Sequence, residues 1–202
     1  HSYYTRKTQP FIYGGHSIFT AEVASTVNEN LLMRDLLEKE DDPKVRKYLL
    51  NIYIEDFRAT LFRQTMFAEF EKITHEAVEA GEVLTAEWLC DNYLDLNKKY
   101  FGKNMVYDPQ IKMEWARIPH FYNAFYVYKY ATGYSAAIAL TEKILSEGES
   151  ARNSYIEFLK SGESDDPIPL LKEAGVDMSR PDPIEKAMLV FEELLDELER
   201  LL

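Results

Sequence analysis

The stretch SIFTAEVASTVNENLL, residues 17–32, decides the fold class because its apolar residues have the periodicity of a helix. Ser17 is suited to the N-cap position, where its hydroxyl accepts from a backbone N–H of the first turn. Apolar residues then recur at every fourth position: Phe19, Val23, Val27 and Leu31. This spacing places the four side chains on one side of a helix. The stretch therefore predicts a helix with one buried face.

Two glutamates on the same predicted helix flank this apolar stripe. Glu22 and Glu29 are seven residues apart, so they lie within about 20° of each other around a helix of 3.6 residues per turn. A carboxylate drawn toward an apolar interior is costly unless a cation, a metal or hydrogen bonds compensate it. The pair is either part of a site or a half-exposed helix edge with solvated glutamates, and the spacing leaves both interpretations open.

The rest of the chain predicts further helices and no strand. Pro43 and Gly81 bound a long apolar-periodic segment, which predicts one very long helix over residues 43–80. Thr85 and Gly102 bound a third helix. Shorter helices are predicted over residues 150–160, 168–174 and 183–202. The sequence thus predicts an all-α, multi-helix fold.

Composition restricts the possible partners. The 202 residues are 46% hydrophobic, which is ample for a packed core. The formal net charge of −12 argues against nucleic acid as a partner, because nucleic-acid-binding proteins concentrate Lys and Arg. No apolar run approaches 18 residues, so no membrane span is predicted. The single cysteine, Cys90, is predicted to be a buried thiol, and such usage is typical of a reducing, cytoplasmic compartment.

The most aromatic part of the sequence lies in residues 120–145, which predict a helix beginning at His120. Tyrosines follow one another there at every fourth position: Tyr122, Tyr126, Tyr130 and Tyr134. On a helix they form one stripe of hydroxyls with an imidazole at its start, which suits hydrogen bonding to a developing oxyanion and a peptide backbone. Tyrosines on a core-facing helix are also common as simple packing residues. Both interpretations remain open.

Metal binding by this chain alone is poorly supported by its motifs. Neither His-Glu-x-x-His nor a cluster of Cys and His is present. Glu71 and His75 are one residue further apart than the Glu-x-x-His pairs of di-iron bundles require. His75 lies among charged residues and is expected at the surface, whereas His16 follows Gly14 and Gly15 and is a candidate to line a cleft.

Three phrases of the sequence resemble the oligoendopeptidase F group of thimet-type zinc peptidases. They are HSYYTRKTQP at residues 1–10, YGGHSIFTAEVASTVNENLL at residues 13–32, and IPHFYNAFYVYKYATGYSAA at residues 118–137. The resemblance covers essentially the whole chain. It implies that residues 1–202 are the carboxy-terminal portion of a helical catalytic domain. The His-Glu-x-x-His helix of that domain is then expected just upstream of His1.

The resemblance also implies roles for individual residues on the metal side. Glu22 matches the family's third zinc ligand, and Glu29 matches a carboxylate that supports the zinc site. With this single ligand, the chain alone is expected to bind zinc weakly and to be inactive.

On the substrate side, the resemblance implies that His120, Tyr126 and Tyr130 bind substrate and stabilise the tetrahedral intermediate. Tyr128 competes for the tyrosine role, because the spacing from histidine to tyrosine varies within the family. His16 is a further candidate for substrate binding.

The function implied by the resemblance is that of an intracellular zinc metalloendopeptidase acting on short peptides. The alternative is a non-catalytic helical module whose glutamate pair and tyrosine row bind a peptide or a partner protein. An exposed apolar patch around Phe19, Val23 and the tyrosine row, or self-association covering it, is also expected.

Overall fold

The computed structural model describes all 202 residues, and it contains helices and no strand. The prediction of an all-α fold is confirmed. The α-helices are α1 (Ser2–Thr8), α2 (Ile18–Lys39), α3 (Pro43–Phe57), α4 (Arg63–Glu79), α5 (Ala86–Phe101), α6 (Tyr128–Glu147), α7 (Glu149–Ser161), α8 (Pro167–Glu173) and α9 (Asp182–Leu201). Three 3₁₀ helices cover Phe11–Tyr13, Pro109–Arg117 and Pro119–Tyr122, and a π-helical turn covers Arg58–Phe62. None of the helices is long and apolar enough to cross a membrane.

The chain forms two compact units. The larger unit consists of His1–Arg58 and Thr132–Leu202, and the smaller unit consists of Ala59–Ala131. The division falls within the π-helical turn and within the first turn of α6.

The core of the larger unit is built on α2. Ser17 caps this helix as predicted, because its Oγ accepts from the backbone N–H of Thr20 at 3.3 Å. The predicted apolar face is buried against the small residues of α6 and the aromatic residues of α7. These core residues include Phe19, Val23, Val27, Ala136, Ala137, Leu140, Tyr155 and Phe158. Alanines on α6 permit the close approach of α2, which a larger side chain would prevent.

The core of the smaller unit is largely aromatic. Its buried residues are Met66, Phe67, Phe70, Tyr93, Leu96, Ile118 and Val127. The rings of Phe70 and Tyr93 meet edge to face, with centroids 5.2 Å apart and planes at 86°. This is the geometry that aromatic quadrupoles favour.

The predicted single helix over residues 43–80 is helical but is not one α-helix. The π-helical turn Arg58–Phe62 separates α3 from α4. A π turn accommodates one extra residue and changes which side chains face the core. Apolar periodicity alone did not reveal this change.

The predicted helix start at His120 is wrong. Residues Pro119–Tyr122 form a short 3₁₀ helix, and α6 begins only at Tyr128. Phe125 has a φ of 58°, which is incompatible with a right-handed helix. The four tyrosines therefore do not form one stripe: Tyr122 is 86% exposed, whereas Tyr134 is buried in the core of the larger unit.

The expected exposed patch does not include Phe19 and Val23, because both side chains are buried within the larger unit, whereas Tyr122 and Tyr128 of the aromatic segment are exposed. The chain supplies its own cover for this face, from α6 and α7. Cys90 is only half-buried, and the indole Nε1 of Trp115 donates to its sulfur at 3.5 Å.

Candidate active site

Three aromatic side chains of the smaller unit meet in a cluster that we call the His–Tyr triangle, formed by His120, Tyr126 and Tyr130. The ring centroids of His120 lie 5.7 Å from those of Tyr126 and of Tyr130. The two tyrosine rings are 5.8 Å apart. His120 Nδ1 and the Tyr126 hydroxyl are hydrogen-bonded. The three substrate-side residues predicted from the sequence are therefore brought together, although they do not lie on one helix.

The triangle is positioned by short elements packed on the aromatic core. Pro119 begins the 3₁₀ helix that carries His120, and the fixed φ of proline suits this position. The ring of Phe67 on α4 lies 6.1 Å from the His120 ring and 5.5 Å from that of Phe121. Tyr130 lies in the first turn of α6. Phe67, a core residue of α4, therefore packs against the imidazole of His120.

The loop between His120 and Tyr126 is held by α4. The backbone N–H of Phe125 donates to Glu71 Oε1 at 2.6 Å, and the Phe125 ring lies 4.4 Å from the His75 ring. Glu71 is 5% exposed. Sequence reasoning missed this role of Glu71. The available signal was the position of Glu71, four residues after Phe67. It therefore lies on the same helix face as Phe67, where the periodicity predicts an apolar residue.

The electrostatics of the triangle keep the Tyr126 phenol protonated. Burial raises its pKa above 10, and the hydrogen bond with Tyr130 and the charge of Glu71 add to this effect. The pair formed by His120 and Tyr126 keeps one hydrogen free to donate in either tautomer of the imidazole. If the phenol donates to Nδ1, the Nε2–H of the imidazole can donate to a ligand, and if Nδ1–H donates to the phenol oxygen, the phenolic O–H can donate to Tyr130 or to a ligand. The pair is thus a hydrogen-bond donor at neutral pH.

The glutamate pair lies on α2 in the larger unit. Glu22 is half-buried and Glu29 is exposed. At Glu22, α6 approaches closely, because a Cβ built on Gly133 would lie 3.8 Å from the Cβ of Glu22. The charge of Glu29 contributes, after burial, to raising the pKa of the Tyr134 phenol. The two glutamates therefore differ in environment, and Glu22 is the one drawn toward the interior.

His16 packs on the first residues of the chain. Its ring stacks on that of His1, with centroids 4.2 Å apart and planes at 12°. Its Nε2 is hydrogen-bonded to Ser2 Oγ at 3.2 Å. His75, expected at the surface, is exposed.

Comparison with known proteins decides the family. The sequence profile of peptidase family M3 matches residues 1–190. The chain belongs to peptidase family M3. The resemblance carried by the three quoted phrases is thus confirmed.

Two named relatives are similar in sequence to this chain over its whole length. It is 60% identical over 202 residues to Oligopeptidase PepF of Bacillus subtilis, of which it covers 30%. It is 49% identical over 201 residues to the plasmid-encoded Oligoendopeptidase F of Lactococcus lactis, of which it covers 33%. The chain therefore spans about a third of the length of these relatives.

Solved structures give the same result. A crystal structure of oligoendopeptidase-F from Enterococcus faecium matches with a TM-score of 0.90 and 49% identity, over 99% of this chain and 37% of that one. A putative peptidase from Chlamydophila abortus matches with a TM-score of 0.93 and 45% identity, over 100% of this chain and 34% of that one. The helical arrangement is therefore shared with a solved oligoendopeptidase.

Whether this chain could hold a metal ion can be judged from the residues present. No group of three or more His, Cys, Asp or Glu side chains is arranged to hold a metal ion. Glu22 offers a half-buried carboxylate, which is an acceptable zinc ligand. No cluster among the 202 residues therefore offers a complete metal site by itself.

Proposed function

We propose that this chain is the carboxy-terminal part of a zinc metalloendopeptidase that hydrolyses short peptides. The observation that carries the proposal is the His–Tyr triangle, a preformed donor group within a chain of family M3. Hydrolysis of a peptide bond passes through a tetrahedral intermediate whose oxygen carries negative charge. A phenol that stays protonated at neutral pH, paired with an imidazole, is suited to donate to that oxygen.

Glu22 is proposed as the protein's carboxylate ligand to zinc. Zinc, when bound, polarises a water and the scissile carbonyl. Glu29 is proposed to support the metal site electrostatically without binding the metal. Both carboxylates belong to α2, whose register is fixed by its buried face.

The hydrogen-bonded pair of His120 and Tyr126 is proposed to donate one hydrogen bond to the oxyanion, and Tyr130 to orient Tyr126. The aromatic core packs against His120 and a hydrogen bond joins His120 to Tyr126, which supports donors that are held in place before substrate binds. Preorganised donors stabilise the transition state more than the ground state, so they raise kcat. His16 and Tyr128, which is 47% exposed, remain candidates for contacts with the peptide substrate.

The decisive experiment compares two Tyr→Phe substitutions in the complete peptidase. Tyr126→Phe is expected to lower kcat about 10²-fold or more with little change in KM, because one oxyanion donor is lost. Tyr122→Phe is the matched control, since Tyr122 is 86% exposed on the same segment, and it should leave kcat unchanged.

Other outcomes would change the assignment. Full activity of Tyr126→Phe together with loss of activity in Tyr128→Phe would transfer the role to Tyr128. Zinc that remains stoichiometric in Glu22→Gln would remove Glu22 from the ligand set. A complete protein that binds short peptides without cleaving them would favour a non-catalytic binding module instead.

A further inference from the structure

The loop that carries Tyr126 contains the only non-glycine residue with a positive φ, Phe125 at 58°. A bulky residue in the left-handed region costs on the order of 1–3 kcal/mol and persists only where its surroundings hold it there. Tyr126 follows directly in the chain. The contacts that fix the Phe125 backbone therefore also fix the direction of the Tyr126 phenol.

Those contacts come from α4. Glu71 Oε1 accepts from the Phe125 N–H at 2.6 Å, and the ring of His75, one turn further along the helix, packs 4.4 Å from the Phe125 ring. Hydrogen bonds to an ionised acceptor are roughly twice as strong as neutral ones. Glu71 is 5% exposed, and a carboxylate this deeply buried is rare without a partner. The burial of Glu71 is thus explained by the backbone group that it binds.

We propose that Glu71 is a positioning residue of the peptidase, whose carboxylate holds the Phe125 backbone in its left-handed conformation and so presents the Tyr126 phenol to His120. This inference rests on the function proposed above. The hydrogen bond between Glu71 and the Phe125 N–H involves neither the imidazole nor the phenol. Glu71 therefore positions Tyr126 through the loop backbone.

The charge of Glu71 has a second effect on the same phenol. His120 is hydrogen-bonded to the Tyr126 phenol, and Tyr130 and the charge of Glu71 also act on it. Burial and the hydrogen bond with Tyr130 raise the Tyr126 pKa first, and the negative charge of Glu71 raises it further. Glu71 therefore helps to keep the phenol in the form that donates.

Two substitutions separate these effects. Glu71→Gln keeps an oxygen that accepts from the Phe125 N–H but removes the charge, whereas Glu71→Leu removes both at similar volume. The matched control is Glu69→Leu, because Glu69 is also on α4 but its carboxylate binds Lys99 and the Tyr100 hydroxyl.

The first readout needs no activity: the amide proton resonance of Phe125 in the 202-residue chain. We expect it far downfield in the native chain, moved partly upfield in Glu71→Gln, whose neutral oxygen is the weaker acceptor, and moved further upfield in Glu71→Leu. Glu69→Leu should leave it in place. A Phe125 resonance unaffected by Glu71→Leu would overturn the proposal. If Glu71→Leu fails to fold, Glu71→Gln decides: a partial upfield move of the Phe125 resonance supports the proposal, and an unchanged resonance overturns it.

The second readout is kinetic and uses the complete peptidase. Glu71→Leu is expected to lower kcat about tenfold or more with KM within about twofold, because a displaced donor loses transition-state contacts. Glu71→Gln should restore most of kcat and move the alkaline limb of the pH profile to lower pH. In a Tyr126→Phe background, Glu71→Leu should have little further effect.

Failure of this inference is distinct from failure of the proposed function. A kcat of Glu71→Leu equal to that of the unsubstituted protein would overturn the positioning role. So would a double variant, Glu71→Leu with Tyr126→Phe, whose loss of kcat equals the product of the two single losses. A complete, unsubstituted protein that does not cleave peptides would overturn the peptidase proposal instead, and the Phe125 resonance would still decide whether Glu71 holds the loop.

Discussion

At the scale of single residues, two buried tyrosines provide a controlled comparison. The Tyr93 hydroxyl donates to the Glu114 carboxylate at 2.7 Å, whereas the Tyr134 hydroxyl is buried without a hydrogen-bond partner. Both rings are core residues. The same chemical change, removal of one oxygen, should therefore have different consequences at the two positions.

We expect Tyr93→Phe to lower the free energy of unfolding by about 1.5–3 kcal/mol, the range for hydrogen bonds to charged groups. Tyr134→Phe should leave it within about 0.5 kcal/mol of the native value or raise it, because no bond is lost. Urea denaturation of the two variants measures the difference. Equal destabilisation by both substitutions would contradict this account.

Glu114 itself makes stability depend on pH. It is 7% exposed and accepts from Arg63 at 2.7 Å and from Arg117 at 2.6 Å. Burial alone would raise its pKa, but the hydrogen bonds from Arg63 and Tyr93 outweigh burial and hold the pKa below its ordinary value of 4.5.

Because the pKa of Glu114 is lower in the folded state, its contribution to stability is present above about pH 4.5 and is lost as pH falls through the folded-state pKa. We expect the free energy of unfolding to decline in this acidic window. Glu114→Gln should be less stable at pH 7 and should show a shallower decline. Parallel curves for the two proteins would assign the acid sensitivity to other carboxylates.

At the scale of elements, glycines with positive φ end helices or join them, and two of them differ in their surroundings. Gly148 joins α6 to α7 with a φ of 66° and has no heavy atom within 4 Å of a built Cβ. Gly162 follows α7 with a φ of 57°, but a Cβ there would lie 2.2 Å from the Tyr13 carbonyl oxygen. The adjacent Glu163 N–H donates to the same oxygen at 3.2 Å.

We therefore expect Gly148→Ala to cost about 1–3 kcal/mol, because its φ of 66° and ψ of −127° lie in a region that is largely restricted to glycine. Gly162→Ala should cost at least about 2 kcal/mol more, because the backbone of the Tyr13 loop must move as well. Thermal unfolding of both variants tests the ranking. A Gly162→Ala protein as stable as Gly148→Ala would show that this loop is not held against α7.

At the scale of the whole molecule, the distribution of metal-binding groups predicts how the chain behaves by itself. The 202 residues contain no cluster of three or more potential ligands. We expect the chain alone to show no saturable zinc binding under conditions in which the complete peptidase retains the metal. Calorimetric titration of both proteins makes the comparison, with Glu22→Gln of the complete protein as control. Tight binding by the 202 residues alone would contradict a ligand set completed from outside.

The helices could be predicted from the sequence because their causes are local. The family could be identified because three continuous phrases carry the resemblance. The N-cap at Ser17 and the buried face of α2 depend on residues within a few positions of one another, which the printed sequence shows directly. Grouping of His120, Tyr126 and Tyr130 was implied by the resemblance, but the helix proposed to carry them was not correct.

The sequence by itself determined an all-α chain of family M3 and named the residues of the His–Tyr triangle. Only the tertiary structure decided how the triangle is built. Residues 120–127 have a composition compatible with a helix, but the N–H of Phe125 binds Glu71, which is 54 positions away in the chain. A backbone group satisfied by such a distant carboxylate releases its segment from the helix, and local periodicity contains no record of that contact.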